Sequence, residues 1–257
     1  MSQISPPLCV WLKRDLRVVD HAALAAAVKQ AQGGAVFCVF IYEPEILGQP
    51  ETHSRHLTFQ RESLIDLEKS LQNLRVRLIT RQGDATVILE QLRIETGFQK
   101  LFAHDETGTA VSSARDRHVR CWARTVGVKF IEFSQNGVVR RLNSRDGWNS
   151  HWESRMVQPQ SVVHPLPRSH LNKVVSQLPS LGFLQPADLG HQVNQSDCQT
   201  GGEHAAGEIL QNFVERRGQF YAGGISSPVT APSSCSRLSA HLAFGTISIR
   251  RVWQATE

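Results

Sequence analysis

The sequence predicts an α/β protein: five parallel strands in a doubly wound sheet, then a connecting segment, then a helical portion. Two observations carry this. Over the first half of the chain, five short apolar runs alternate with amphipathic helical stretches, and parallel strands need such crossovers. Beyond residue 156 the chain turns proline-rich and polar, and helical periodicity returns only near residue 201.

The first run, Leu8–Leu12, is short, β-branched and aromatic, as a buried strand requires. Asp20 precedes the alanine-rich stretch HAALAAAV and is placed to cap that helix, which Gly33–Gly34 ends. Residues 35–42 form the second strand. Leu57, Leu64, Leu67, Leu71 and Leu74 then fall at three- and four-residue steps and make one helical face. Residues 75–80 are the third strand. Asp84 caps a helix carrying Val87, Ile88, Leu92 and Ile94, and Gly97 stops it. The fourth strand is 100–104, a basic helix covers about 110–126, and the fifth strand is 128–133. The arrangement is Rossmann-like, and ligands of such sheets sit beyond the carboxyl ends of the strands. Those ends are Lys13–Arg17, Tyr42–Glu45, Thr80–Gly83 and His104–Thr109. Neither a G-x-G-x-x-G after the first strand nor a P-loop is present, which disfavours a standard dinucleotide fold or a P-loop NTPase.

Pro159, Pro165, Pro167, Pro179 and Pro186 interrupt the next stretch, which reads as an interdomain crossing. Helical spacing resumes after Gly202 with Ala205, Ile209 and Phe213, and a last helix begins near Ser248. The expected division is 1–155, a linker over 156–200, and a helical portion over 201–257.

The chain has 257 residues, 40% apolar and 20% charged, a globular composition. A net charge of +5 is compatible with nucleic acid without requiring it. No apolar run approaches the roughly 20 residues of a membrane span, and the amino terminus lacks an export signal, so a soluble cytoplasmic protein is expected. Five scattered cysteines form neither a disulfide framework nor a zinc pair, and the eleven histidines show no metal spacing, so no metal is expected. Trp148 and Trp152 share a helix face and are assigned to packing rather than to electron transfer.

The stretch SSCSRLSAHLAFGTIS, Ser233 to Ser248, concentrates hydroxyls, small residues and an arginine. It reads as the opening of a binding site or as an ordinary serine-capped helix. Arg237 could face an anion or solvent.

Several segments carry a family resemblance. VWLKRDLRVVDHAAL resembles the start of the photolyase/cryptochrome flavoproteins, with Arg14, Asp15, Leu16, Arg17 and Asp20 matching and His21 standing where that family usually has asparagine. DETGTAVSSARDRHVRCWARTVGV and RDGWNSHWESRM resemble later parts of its sheet domain. The segment from Gly201 to Trp253 resembles the start of its all-helical FAD domain. The resemblance implies that Ser236, Leu238 and Ser239 match a segment that grips the FAD phosphates, with Ser234 and Arg237 beside them. Cys235 replaces a threonine and removes one hydroxyl donor, and Tyr221 matches an aromatic residue near the same phosphates. It further implies an antenna chromophore, a folate or a deazaflavin, at Lys13–Arg17, Tyr42–Glu45 and His104–Thr109. The implied activity is light-driven repair of pyrimidine dimers by electron transfer from FAD, with damaged DNA as partner of a complete, monomeric protein.

The family's flavin domain is longer than the helical portion here. The chain is therefore expected to be an amino-terminal portion that binds FAD weakly or not at all alone and lacks repair activity. Its last helices are expected to expose Leu238, Leu242, Phe244 and Ile247, and proteases to cut first after about residue 156. Two other readings stand beside this one: a cryptochrome-like blue-light sensor, and a non-flavin α/β nucleotide-binding protein.

Overall fold

Strand β1 (Leu8–Leu12) lies at the centre of the sheet, and its alternating side chains supply the cores on both faces. The computed structural model describes residues 5–31, 34–139, 142, 144–167, 173–192 and 198–257; Gly33, expected to end the first helix, lies outside them. With β2 (Val36–Tyr42), β3 (Arg77–Gln82), β4 (Lys100–His104) and β5 (Lys129–Phe133), β1 forms a five-stranded sheet in the order β3-β2-β1-β4-β5. Every pairing is parallel. The fold is the expected doubly wound α/β sheet. Strand β3 starts two residues later than the sequence indicates, because Arg75 takes a left-handed turn (φ 58°) that strand geometry does not allow.

Leu8, Val10 and Leu12 point to one face and pack with α1 (Ala22–Gln30) and α3 (Ser54–Asn73). Cys9 and Trp11 point to the other and pack with α4 (Ala85–Thr96) and α5 (Ala110–Thr125). A short α2 (Pro44–Leu47) follows β2. Asp84 caps α4 through Val87 N–H and Gly97 ends it in the left-handed region, as expected. The cap of α1 is a correction. His21, not Asp20, accepts the Leu24 N–H, through Nδ1 at 3.0 Å. Asp20 sits at φ 54°, which turns its carboxylate away from the helix toward Arg250 and the Ser161 N–H.

After α6 (Trp148–Met156), the stretch expected as a crossing packs along the sheet. Leu166 is buried in the first core, and Val175 of α7 (Lys173–Gln177) and Leu178 are buried in the second. Arg77 donates to the carbonyls of Val175 and Leu178. Thr80 N–H donates to Ser180 Oγ, and Leu181 N–H to the Thr80 carbonyl. The segment covers the exposed edge of β3, which would otherwise leave backbone groups unpaired.

The helical portion comprises α8 (Glu203–Glu215), α9 (Tyr221–Gly224), α10 (Ala231–Ser234), α11 (Ser239–Phe244) and α12 (Ile249–Thr256). Ala206, Leu210, Leu238 and Ile247 build a third, small core. The expected exposure of the last apolar residues is overturned. Leu238 and Ile247 are each 2% exposed, Leu242 packs partly buried against the same core, and the Phe244 ring rests on Phe59 at 5.1 Å. Trp152 joins Trp148 (6.3 Å) to Trp253 (6.2 Å), so this aromatic group ties α6 to α12 as packing.

Candidate functional site

Strands β1 and β4 are neighbours, while the chain proceeds from β1 to β2 on the opposite side. The order therefore reverses between them, and a crevice opens at their carboxyl ends. Two loops frame it, one leaving β1 at Lys13 and one leaving β4 at Asp105.

Charge is concentrated there. The Arg115 guanidinium, from α5, holds Glu43 and Glu106 at 2.6 Å and Asp116 at 3.0 Å. Lys13 Nζ pairs with the other oxygen of Asp116 at 2.7 Å. Lys13 and Arg115 both lie over the Trp11 ring, at 4.6 and 4.8 Å from its centroid. Burial pushes the Glu43 carboxyl up to about 7, outweighing the pull of Arg115. Beside this network a cavity of about 180 Å³ opens, with Arg14, Tyr42, Glu43, Glu106 and Thr109 in its lining and Phe244 closing one side. Parts of three of the four expected strand-end loops meet there: Lys13 and Arg14, Tyr42 and Glu43, and Glu106 and Thr109.

Behind the crevice, Asp15, His21 and His104 form a buried trio whose ligand atoms lie within 4.8 Å of one another. Asp15 Oδ1 accepts the Lys13 N–H at 2.7 Å, and Oδ2 accepts His104 Nδ1–H at 2.8 Å. Burial lowers the His104 pKa to about 4. Burial acts to raise Asp15, but the hydrogen bonds from His104 and His21 prevail and hold it well below the usual carboxylate range. His21 Nδ1 spends its lone pair on the Leu24 N–H, so the neutral ring carries its proton on Nε2, 3.2 Å from Asp15 Oδ2. In that tautomer the His21 ring itself offers no free lone pair. The chemistry of the trio is that of a carboxylate–imidazole network. Nothing in the sequence spacing marks it, because the three residues meet only when β1 and β4 pair.

The turn near the carboxy terminus is held from behind by Arg217. Its guanidinium donates to the carbonyls of Ile209 (3.1 Å), Cys235 (2.9 Å) and Ser236 (3.4 Å). Arg237 adopts a left-handed conformation (φ 59°), and its carbonyl accepts from Gln199 at 2.7 Å. Ser234 is buried with its hydroxyl over Gly224, where a Cβ would collide with it. Ser236 Oγ accepts the Leu238 N–H, and Ser239 is an exposed first residue of α11. Tyr221 is 42% exposed and packs edge-on against Phe213. Beside the turn lies an open cavity of about 650 Å³ lined by Arg216, Arg217, Gln219, Gly224 and Ser234 among others. Of the seven residues expected at the phosphates, this cavity includes Ser234. Leu238 belongs to the third core, and Tyr221, Ser236 and Ser239 lie around the turn outside the cavity lining. Arg217 escapes sequence reasoning because, apart from Asn212 Oδ1 at 2.7 Å, its partners are backbone carbonyls 8 to 19 residues away.

A family profile described as DNA photolyase matches residues 8–147. The chain is 31% identical to the deoxyribodipyrimidine photo-lyase of Agrobacterium fabrum, across 100% of this chain and 54% of that protein. It is 28% identical to cryptochrome-2 of Arabidopsis thaliana, across 95% of this chain and 42% of that protein. It superposes on an archaeal photolyase from Sulfolobus tokodaii, solved with two FAD molecules, with a TM-score of 0.71 and 21% identity, over 96% of this chain and 54% of that one. The chain spans about half the length of the curated relatives it matches. The chain belongs to the DNA photolyase family.

Proposed function

We propose that this chain forms the antenna side and the phosphate-gripping edge of a flavoprotein that repairs pyrimidine dimers in DNA with light. The observation that carries the reading is the Arg217-braced turn. Its guanidinium fixes the backbone of Cys235 and Ser236 while the same residue lines an open cavity. An FAD diphosphate needs donors held in place before it arrives. Arg216, Gln219 and Ser234 line that cavity, and a guanidinium, an amide and a hydroxyl are groups that suit one edge of a diphosphate. The Ser233 and Thr230 hydroxyls already donate to the carbonyls of Thr230 and Gly224, so they offer lone pairs rather than protons. Ser236 and Ser239 supply further hydroxyls along the turn. Bound FAD would supply the electron for ring opening; the residues here bind and orient it.

The cavity at the ends of β1, β2 and α5 is the place for an antenna chromophore of the folate or deazaflavin class. It offers an apolar floor of Leu12, Phe40 and Leu57 and a polar rim of Arg14, Glu43 and Glu106. No described helix is long and apolar enough to cross a membrane. The relationship to a plant cryptochrome supports a second reading, a blue-light sensor that keeps the flavin and does not repair.

Titration with FAD, read by flavin fluorescence, tests the cofactor. Weak, saturable binding that Arg216→Ala and Ser234→Ala diminish is expected. Illumination of the flavin-loaded protein with a thymine-dimer oligonucleotide tests the activity. Dimer loss selects repair over the sensor, and protection by AMP but not by FAD overturns both readings in favour of a plain nucleotide-binding protein.

A further inference from the structure

The strand-end cavity draws its lining from the sheet portion of the chain and from one residue of the helical portion. The ends of β1 and β2 contribute Leu12, Arg14, Tyr42 and Glu43, and α11 contributes Phe244. Helix α11 reaches the cavity because its carboxyl end is docked on the β1 loop. Leu16 N–H donates to the Phe244 carbonyl at 3.3 Å, and Arg17 donates to the Gly245 carbonyl at 2.9 Å. Gly245 sits at φ 66°, and a Cβ there would collide with the Arg14 carbonyl oxygen, so only glycine allows this approach. The Phe59 ring receives both Phe244 (5.1 Å) and the buried His241 (5.0 Å). Leu242 and Ala243 of the same helix roof a neighbouring cavity of about 180 Å³ beside Asp15 and His104.

We propose that Phe244 is a ligand-contacting wall of the strand-end cavity, and that filling the cavity and docking α11 onto the β1 loop are one coupled equilibrium. A ligand in the cavity touches Phe244 only while α11 is docked, so it binds the docked state more tightly. By linkage, whatever orders α11 tightens the ligand by the same factor. The turn at 233–239 runs directly into α11, so a group that orders the turn belongs to the same equilibrium. The inference rests on the antenna reading for its choice of probes.

The test uses the whole 257-residue chain. Methenyltetrahydrofolate and a hydroxylated deazaflavin serve as probes, followed by fluorescence titration and by amide hydrogen exchange. A bound probe is expected to slow exchange at 242–246 roughly tenfold, within the usual range of site coupling. Phe244→Ala should weaken the probe about tenfold and erase that protection, while Phe244→Leu restores most of both. Gly245→Ala should speed exchange in α11 and weaken the probe by a matching factor, with its sheet amides exchanging as in the parent chain. The proposal is overturned if neither probe binds, if a probe protects the β1 and β2 loops but leaves α11 unchanged, or if Phe244→Ala binds as tightly as the parent. FAD is titrated in parallel. A chain that couples probe and α11 but shows no FAD protection at 233–239 would sink the flavin reading and leave the shared wall standing.

Discussion

Asp15 uses its two oxygens for different purposes, one for the Lys13 N–H and one for the imidazoles. In Asp15→Asn the amide can keep only one of these, and its NH₂ group then confronts a ring N–H. A loss of about 2–4 kcal/mol is expected in urea unfolding, because a buried donor is left unmatched. A loss below about 0.5 kcal/mol, the scatter of ordinary surface substitutions, would contradict the network. Two buried groups also give opposite pH dependences. The His104 pKa falls on folding to about 4, so its contribution is complete above roughly 6.5 and is lost as pH falls through 4. The Glu43 pKa rises on folding to about 7, so its contribution is complete below roughly 4.5 and is lost as pH rises through 7. Unfolding free energy measured from pH 4 to 8 should therefore lose part of its acid decline in His104→Asn and part of its alkaline decline in Glu43→Gln. The same slopes in parent and variants would refute both assignments. The sequence discloses Arg115 only as one basic residue in a basic helix. Its partners Glu43 and Glu106 arrive from loops 72 and 9 residues away, and no local pattern announces such a meeting.

At the scale of the element, most boundaries follow from local chemistry, and the misplacements have local causes. The runs at β1 and β4 were legible residue for residue because each is apolar and ends in charge. The α1 cap was not. An aspartate before an alanine-rich stretch is a strong start signal, yet the left-handed Asp20 hands the role to His21. His21→Ala should cost about 1 kcal/mol from the cap alone, and more through the Asp15 network. His21→Asn should recover the cap, since its side-chain oxygen can accept the same Leu24 N–H. Urea midpoints of the two variants decide the matter: an alanine variant as stable as the asparagine one would remove the cap from the account. The hydroxyl-rich turn was legible because its motif is contiguous, while its brace, Arg217, was not.

At the scale of the molecule, the described residues form three apolar cores tied together by polar latches. Glu203 accepts the N–H groups of Val18 and Val19, Arg250 pairs with Asp20 at 2.8 Å, and Asp66 accepts the N–H groups at the start of α8. Proline spacing gave the stretch after residue 156 the look of a connector, because prolines mark an absence of regular structure and say nothing about packing. Leu166, Val175 and Leu178 are each at most 5% exposed and lie against the two sheet cores. Leu166→Ala should therefore cost about 2–4 kcal/mol, as for other buried leucines. A stronger test removes the segment together with the helical portion that follows it. A chain ending at residue 155 uncovers the β3 edge, leaves Arg77 without its carbonyl partners and strips apolar cover from both faces of the sheet. It should unfold at a lower urea concentration than the full chain and bind a hydrophobic dye, since freshly exposed apolar surface and an open edge both favour association. Equal urea midpoints for the two chains, with no dye binding, would mean that the sheet stands alone and that the segment merely rests upon it.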